Sequence, residues 1–138
     1  REVDALVVAR ELTHRNNAER ATATTIRDRM REQDVPATLV AALMHVVHTY
    51  RDTRDAPLVN RALLTLRPFV SWIDIELVAN ERVSAVLLEL LGVRAHRCAA
   101  AACVHEIVAK GMPPVAKLAL IDELGVVDAV AAATEPLC

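Results

Sequence analysis

The sequence predicts an all-α chain, on three observations. Apolar residues recur at three- and four-residue spacings along most of the length, the period of a helix face. Alanine, valine and leucine carry most of the 54% apolar content, while aromatics are 2%, namely Tyr50, Phe69 and Trp72. That mix suits close helix packing better than a sheet. The 3 glycines and 6 prolines leave little turn material for a β-sandwich or barrel.

Each element follows from its local pattern. Residues 2–13, with Val3, Leu6, Val7 and Ala9, read as the tail of one helix. Asn16 and Asn17 are candidate N-caps for a helix over 18–33 that buries Ala18, Ala21, Thr25, Ile26 and Met30. Asp34-Val35-Pro36 stops that helix and starts another, with Pro36 in its first turn. Leu39, Leu43, Val46, Val47 and Tyr50 are its apolar positions. After the charged loop 51–55, Asp55 and Pro57 open a helix striped by Leu58, Ala62, Leu66 and Phe69 and flanked by Val59, Leu63 and Val70. Pro68 is expected to kink it. Trp72 should wedge between two helices of a pair, and Asp74 should cap a short turn. Asn80 caps the next helix, which carries Val83, Val86, Leu87, Leu90 and Leu91 and stops at Gly92.

A helix rich in small residues (Ala95, Ala99, Ala102, Cys103) starts near Arg94 and ends at Lys110-Gly111, a basic last turn and a candidate glycine cap. Met112-Pro113-Pro114 connects it to a stripe of Val115, Leu118, Ile121 and Leu124. Residues 126–133 either continue past Gly125 or form a separate short helix.

First helices thus begin near Ala18, Leu58 and Arg94, one helix–turn–helix for every 36–40 residues or so. HEAT and armadillo repeats run at about 40–47 residues and tetratricopeptide repeats at about 34, whose tryptophan, glycine and tyrosine markers are missing. The expected fold is therefore an α-solenoid of HEAT-like antiparallel helix pairs, an ARM-repeat superhelix, with a closed bundle as the rival. Pairs are expected at 16–51, 55–91 and 94–124, with partial repeats at both ends of 1–138. Neither end carries a cap or polar tail, so the chain reads as a piece of a longer solenoid.

Net charge is −2 and the pI about 6.2, which argues against a basic nucleic-acid module. Three cysteines (Cys98, Cys103, Cys138) fit a reducing compartment. The longest apolar run, Ala99–Val104, is far too short for membrane insertion.

Candidate chemistry is sparse. His96, Cys98, Cys103 and His105 resemble a metal set, but all lie on one helical stretch and cannot close a tetrahedron. They read instead as buried thiols with surface histidines. His45 and His48 share a face and would need a carboxylate from a neighbour to bind zinc. Adjacent Asp122 and Glu123 point about 100° apart and make a poor acid–base pair. Ser71 and Ser84 lack a visible histidine–carboxylate partner set. No enzyme activity, metal or cofactor is expected. Arg27, Arg29 and Arg31 are spread around their helix rather than forming one stripe. His48, Arg51, Arg82 and Lys117 lie opposite the apolar stripes of the second helices, which often line the concave side of a solenoid. They are the candidate partner contacts.

Three stretches carry a resemblance. Phe69-Val70-Ser71-Trp72-Ile73-Asp74-Ile75-Glu76-Leu77-Val78-Ala79-Asn80-Glu81-Arg82 resembles an inter-helix signature of the tRNA exportins (the exportin-T family) of the importin-β, or karyopherin, superfamily. Residues 103–118, from Cys103 to Leu118, and Ile26–Glu32 followed by Pro36 are similar to two more stretches of that family. Ala99–Ala102 departs from it, being more apolar, as does His105, where a large apolar residue is usual. The resemblance implies a HEAT-repeat nuclear export receptor, monomeric, that binds tRNA together with Ran-GTP. It also implies contact with nucleoporins and shuttling between nucleus and cytoplasm. The motifs look structural, so they assign no tRNA or Ran contact to a single residue. The competing reading is a generic HEAT scaffold or another karyopherin mediating protein–protein interactions.

Overall fold

The computed structural model describes residues 2–134, with side chains at 7 and 10–132. The expected roles of Val3, Leu6, Ala9 and Cys138 lie outside those side chains. The chain divides into two compact units, Arg1–Val35 and Pro36–Cys138.

In the first unit, α1 (Glu2–Glu32) is one unbroken helix of 31 residues. The break expected at Asn16-Asn17 does not occur. No glycine or proline precedes Pro36, and an interior asparagine costs under about 1 kcal/mol relative to alanine. The strong helix formers Ala18, Glu19, Arg20 and Ala21 follow directly and carry the helix through. Thr22, Thr24 and Thr25 donate their hydroxyls to the carbonyls of Ala18, Arg20 and Ala21 at 2.9–3.0 Å. Of the side expected to be buried, Met30 is half-buried, whereas Ala18, Ala21, Thr25 and Ile26 are exposed. Asp34 takes the left-handed conformation (φ 55°) where the chain turns, which a short polar side chain tolerates.

The second unit holds the core. In α2 (Val35–Tyr50), Pro36, Val40 and Val47 are buried, Leu43, Met44 and Val46 are half-buried, and Tyr50 is exposed. In α3 (Ala56–Val70), the Asp55 carboxylate accepts from the Leu58 N–H at 3.4 Å and a proline occupies the first turn. Its buried positions are Val59, Ala62, Leu63, Leu66 and Val70. Leu58 is exposed, so the inward stripe centres on the residues expected only to flank it. The helix runs through Pro68 to Val70.

Trp72 lies half-buried against the core, its ring tilted 52° to that of Phe69 at 5.7 Å. Asp74 stands at the N-cap of the 3-10 turn Ile75–Leu77, but its side chain makes no cap bond. The main chain closes that turn instead, Leu77 N–H donating to the Asp74 carbonyl at 3.1 Å. Asn80 does cap α4 (Glu81–Gly92), its Oδ1 accepting from Val83 N–H at 3.1 Å. Helix α5 (Arg97–Ala109) starts three residues later than Arg94, because a turn over 93–96 comes first. Gly111 is not left-handed; Gly125 is (φ 59°). That glycine separates α6 (Pro114–Glu123) from α7 (Val126–Thr134), so the segment after it is a separate helix. Val115 and Leu118, expected on a buried stripe, are largely exposed on α6.

Helix α5 packs on both α3 and α4, and α7 packs on α4. Three side-chain bonds set the register of α3 and α5. The Cys103 thiol donates to the Leu63 carbonyl at 3.1 Å, 40 residues away. Arg67 Nε donates to Glu106 at 3.0 Å, a separation of 39. Lys110 Nζ donates to the Val70 carbonyl at 2.9 Å, again 40 residues away. The numbers rise together on both helices, so α3 and α5 run parallel, one repeat apart. All described regular structure is helical, as the solenoid reading requires. No described helix is long and apolar enough to cross a membrane.

Leu66, fully buried on α3, is the sharpest probe of this stack. Leu66→Ala should lower stability by about 2–5 kcal/mol, read from the midpoint of urea unfolding.

Candidate functional site

Two helices of the second unit flank an open groove. From α2 come Ala41, Met44, His45 and His48, with Arg51 just beyond its end. From α4 come Arg82, Ala85, Val86 and Glu89. Both sets repeat at three- and four-residue spacing, so each helix gives the groove one continuous edge. The hollow measures about 530 Å³. Its lining is mixed: apolar Ala41, Met44, Ala85 and Val86 lie among the charged and imidazole groups.

Arg51 joins the two edges. Its Nη1 donates to Glu89 Oε2 at 2.7 Å, while its Nε is buried without a hydrogen bond to any described residue, 3.7 Å from the Asp52 carboxylate. The guanidinium stem is thereby fixed. Arg82, His45 and His48 stay exposed along the groove. Three of the four expected contacts, His48, Arg51 and Arg82, therefore line one surface. Lys117 does not. It sits half-buried on α6, while the helix packed against α4 is α7. The main contact of α4 on this side is thus with α7 rather than with the helix that carries Lys117. Glu89, Met44 and Val86 were not singled out as contacts, although their spacing with Arg82 and His48 was readable.

The histidines and cysteines of α5 separate in character. His96, expected at the surface, is buried at 2% exposure. Its Nδ1 lies 2.9 Å from Asn60 Oδ1, while Asn60 Nδ2 donates to the Ala95 carbonyl at 2.9 Å. With the amide so oriented, His96 Nδ1 must carry the proton and donate. The ring thus ties the start of α5 to α3. Cys103 is buried and Cys98 exposed, so only one of the two thiols expected inside is there. Burial pushes the Cys103 thiol up to about 12, with nearby Arg67 opposing the rise and Glu106 adding to it. No group of three or more metal-binding side chains occurs among the described residues. Ser84 is buried, and its hydroxyl has no hydrogen-bond partner among the described residues. The arrangement holds helices together and presents a groove.

Residues 6–104 match the family described as Exportin 1-like protein. The chain belongs to that family. The match takes in α2 to α4 and most of α5, so the whole groove falls inside it and Lys117 falls outside. Exportin-T of Danio rerio is 41% identical over 122 residues, covering 88% of this chain and 12% of that protein. Exportin-T of Mus musculus is 38% identical over the same length. Exportin-T of Arabidopsis thaliana is 40% identical over 114 residues, covering 80% of this chain and 11% of the relative. The chain thus spans roughly an eighth of the length of the curated relatives it matches. No solved structure matches it.

Asn60→Ala should cost about 1–3 kcal/mol, because it leaves the buried His96 Nδ1 without its acceptor. Thermal or urea unfolding against wild type reads this. Cys103 supplies a pH test. Its folded pKa lies above the ordinary thiol value of 9.0, so the native state holds the proton longer than the unfolded chain. The stability it contributes is complete below pH 9 and is lost as pH rises toward 12. Between those limits, wild type should lose stability with rising pH more steeply than Cys103→Ala. Native alkylation at neutral pH should label Cys98 and spare Cys103.

Proposed function

We propose that this chain is a stretch of a nuclear export receptor for tRNA, which takes up tRNA together with Ran-GTP on a HEAT-repeat superhelix. The observation that carries the reading is the set of exportin-T relatives, 34–41% identical across 88% of the chain. The 40-residue helix register agrees with it, since a stacked solenoid offers long continuous surfaces to large partners. GTP belongs to Ran, so a receptor of this kind needs no catalytic constellation of its own. It acts as a monomer, touches nucleoporins and shuttles between nucleus and cytoplasm. Ran-GTP and tRNA favour the same curvature and so strengthen each other's binding. The groove bearing His48, Arg51 and Arg82 serves as a partner-contacting surface of this stretch, and Lys117 contributes a separate contact from α6.

Recovery of RNA on the immobilised full-length receptor tests the reading. With Ran-GTP present, tRNA should be enriched at least about tenfold over Ran-GDP, within the ordinary range of coupling between sites. Equal tRNA recovery under both conditions argues for uncoupled binding. Loss of all RNA with retention of other proteins favours the generic HEAT scaffold.

A further inference from the structure

We propose that the groove between α2 and α4 docks a short protein segment carrying one apolar side chain flanked by carboxylates, rather than nucleic acid. The proposal rests on the reading of this groove as a partner surface and names the class of occupant.

Charge and lining both point that way. The fixed charges in the groove are Arg51, Arg82 and Glu89. Arg51 is already paired to Glu89 at 2.7 Å, which leaves Arg82 as the one uncompensated full charge among the lining residues. Nucleic-acid affinity grows with the number of phosphates neutralised, and one arginine beside a carboxylate supplies little of it. No phenylalanine, tyrosine or tryptophan ring lines the groove, so the small imidazoles of His45 and His48 are the only rings it offers to a base. What it offers is an apolar lining of Ala41, Met44, Ala85 and Val86. A phosphate backbone gains nothing from that surface, whereas a leucine or methionine side chain does. Methionine adapts its shape to different apolar guests, as at other peptide-binding surfaces.

The dimensions fit as well. From Ala41 to His48 and from Arg82 to Glu89 are two turns of helix each, about 10 Å. That length accommodates one or two turns of an amphipathic helix. The two alanines, Ala41 and Ala85, leave room for the guest between the helices. Carboxylates of the guest then reach Arg82 on one edge and the exposed His45 and His48 on the other. The volume of about 530 Å³ lies within the usual range for ligand clefts.

Fluorescence anisotropy with the full-length receptor tests this. The probes are a labelled helical peptide of about ten residues with a central leucine between glutamates, its leucine-to-serine and glutamate-to-glutamine versions, and a single-stranded RNA of equal charge. The leucine–glutamate peptide should bind, and either altered peptide should bind more weakly. Ala85→Trp, which fills the groove from an exposed position, should weaken the peptide at least about tenfold. Arg82→Glu, at a second exposed position, should weaken it too while leaving helix content intact by circular dichroism. A peptide that fails to bind, or binds both variants as well as wild type, overturns the proposal. So does RNA binding that Ala85→Trp reduces as strongly as it was expected to reduce peptide binding. Peptide binding in a receptor that recovers no tRNA would sink the export reading and leave the groove assignment standing.

Discussion

Everything in the second unit depends on the contact between α3 and α5. Leu63, Leu66 and Val70 from one helix, and Ala100, Cys103 and Ile107 from the other, are almost completely buried. Small residues on α5 let the two backbones approach closely. Burying each large side chain contributes about 1.5–3 kcal/mol before entropy is counted. Hydrophobic contact alone does not select a register, because a helix can slide by one turn and still bury apolar atoms. Directional bonds remove that freedom. The thiol, the guanidinium and the ammonium on the three bonded positions each find a partner only at one alignment.

The link between α2 and α4 is of a different kind. Arg51 and Glu89 link α2 to α4 at a largely open groove, and such exposed pairs contribute at most about 1 kcal/mol. The contact between α3 and α5 therefore fixes the architecture more than the link across the groove does. The same division explains why the chemistry-bearing residues at the interior are structural. His96 serves Asn60, Lys110 serves the open carbonyls at the end of α3, and Cys103 serves Leu63. The carbonyls at the end of α3 have no intrahelical donor and take the ammonium instead, whereas the Leu63 carbonyl, inside α3, takes the thiol as an additional donor.

Much of this was legible in the residues. The helical class, the loop at 51–55, the caps at Asp55 and Asn80 and the approach of α5 through alanines all follow from spacing and side-chain chemistry. Three kinds of feature did not. Asn16 and Asn17 carry a capping signal that is meaningful only if the chain has another reason to break there. Leu58 and Val59 are both apolar, so the orientation of α3 is decided by its neighbour and not by its own pattern. His96 is hidden because the turn before α5 folds it onto Asn60, a contact across 36 residues. At the groove, the basic residues were visible along each helix, but the pairing of Arg51 with Glu89 belongs to the assembled stack. Lys117 shows the converse, since the helix packed on α4 is α7 and not the α6 that carries it, a choice made by tertiary packing.

The bonds of Cys103, Lys110 and Asn60 share one property: each ends on a main-chain carbonyl. A carbonyl is present whatever residue stands at that position. One partner in each contact is thus freed from any demand on its identity, provided the helix remains. Mutational drift can then proceed separately in adjacent repeats without the compensating change a side-chain pair would require. An array joined in this way can lose nearly all internal sequence similarity while its units continue to stack at a constant spacing.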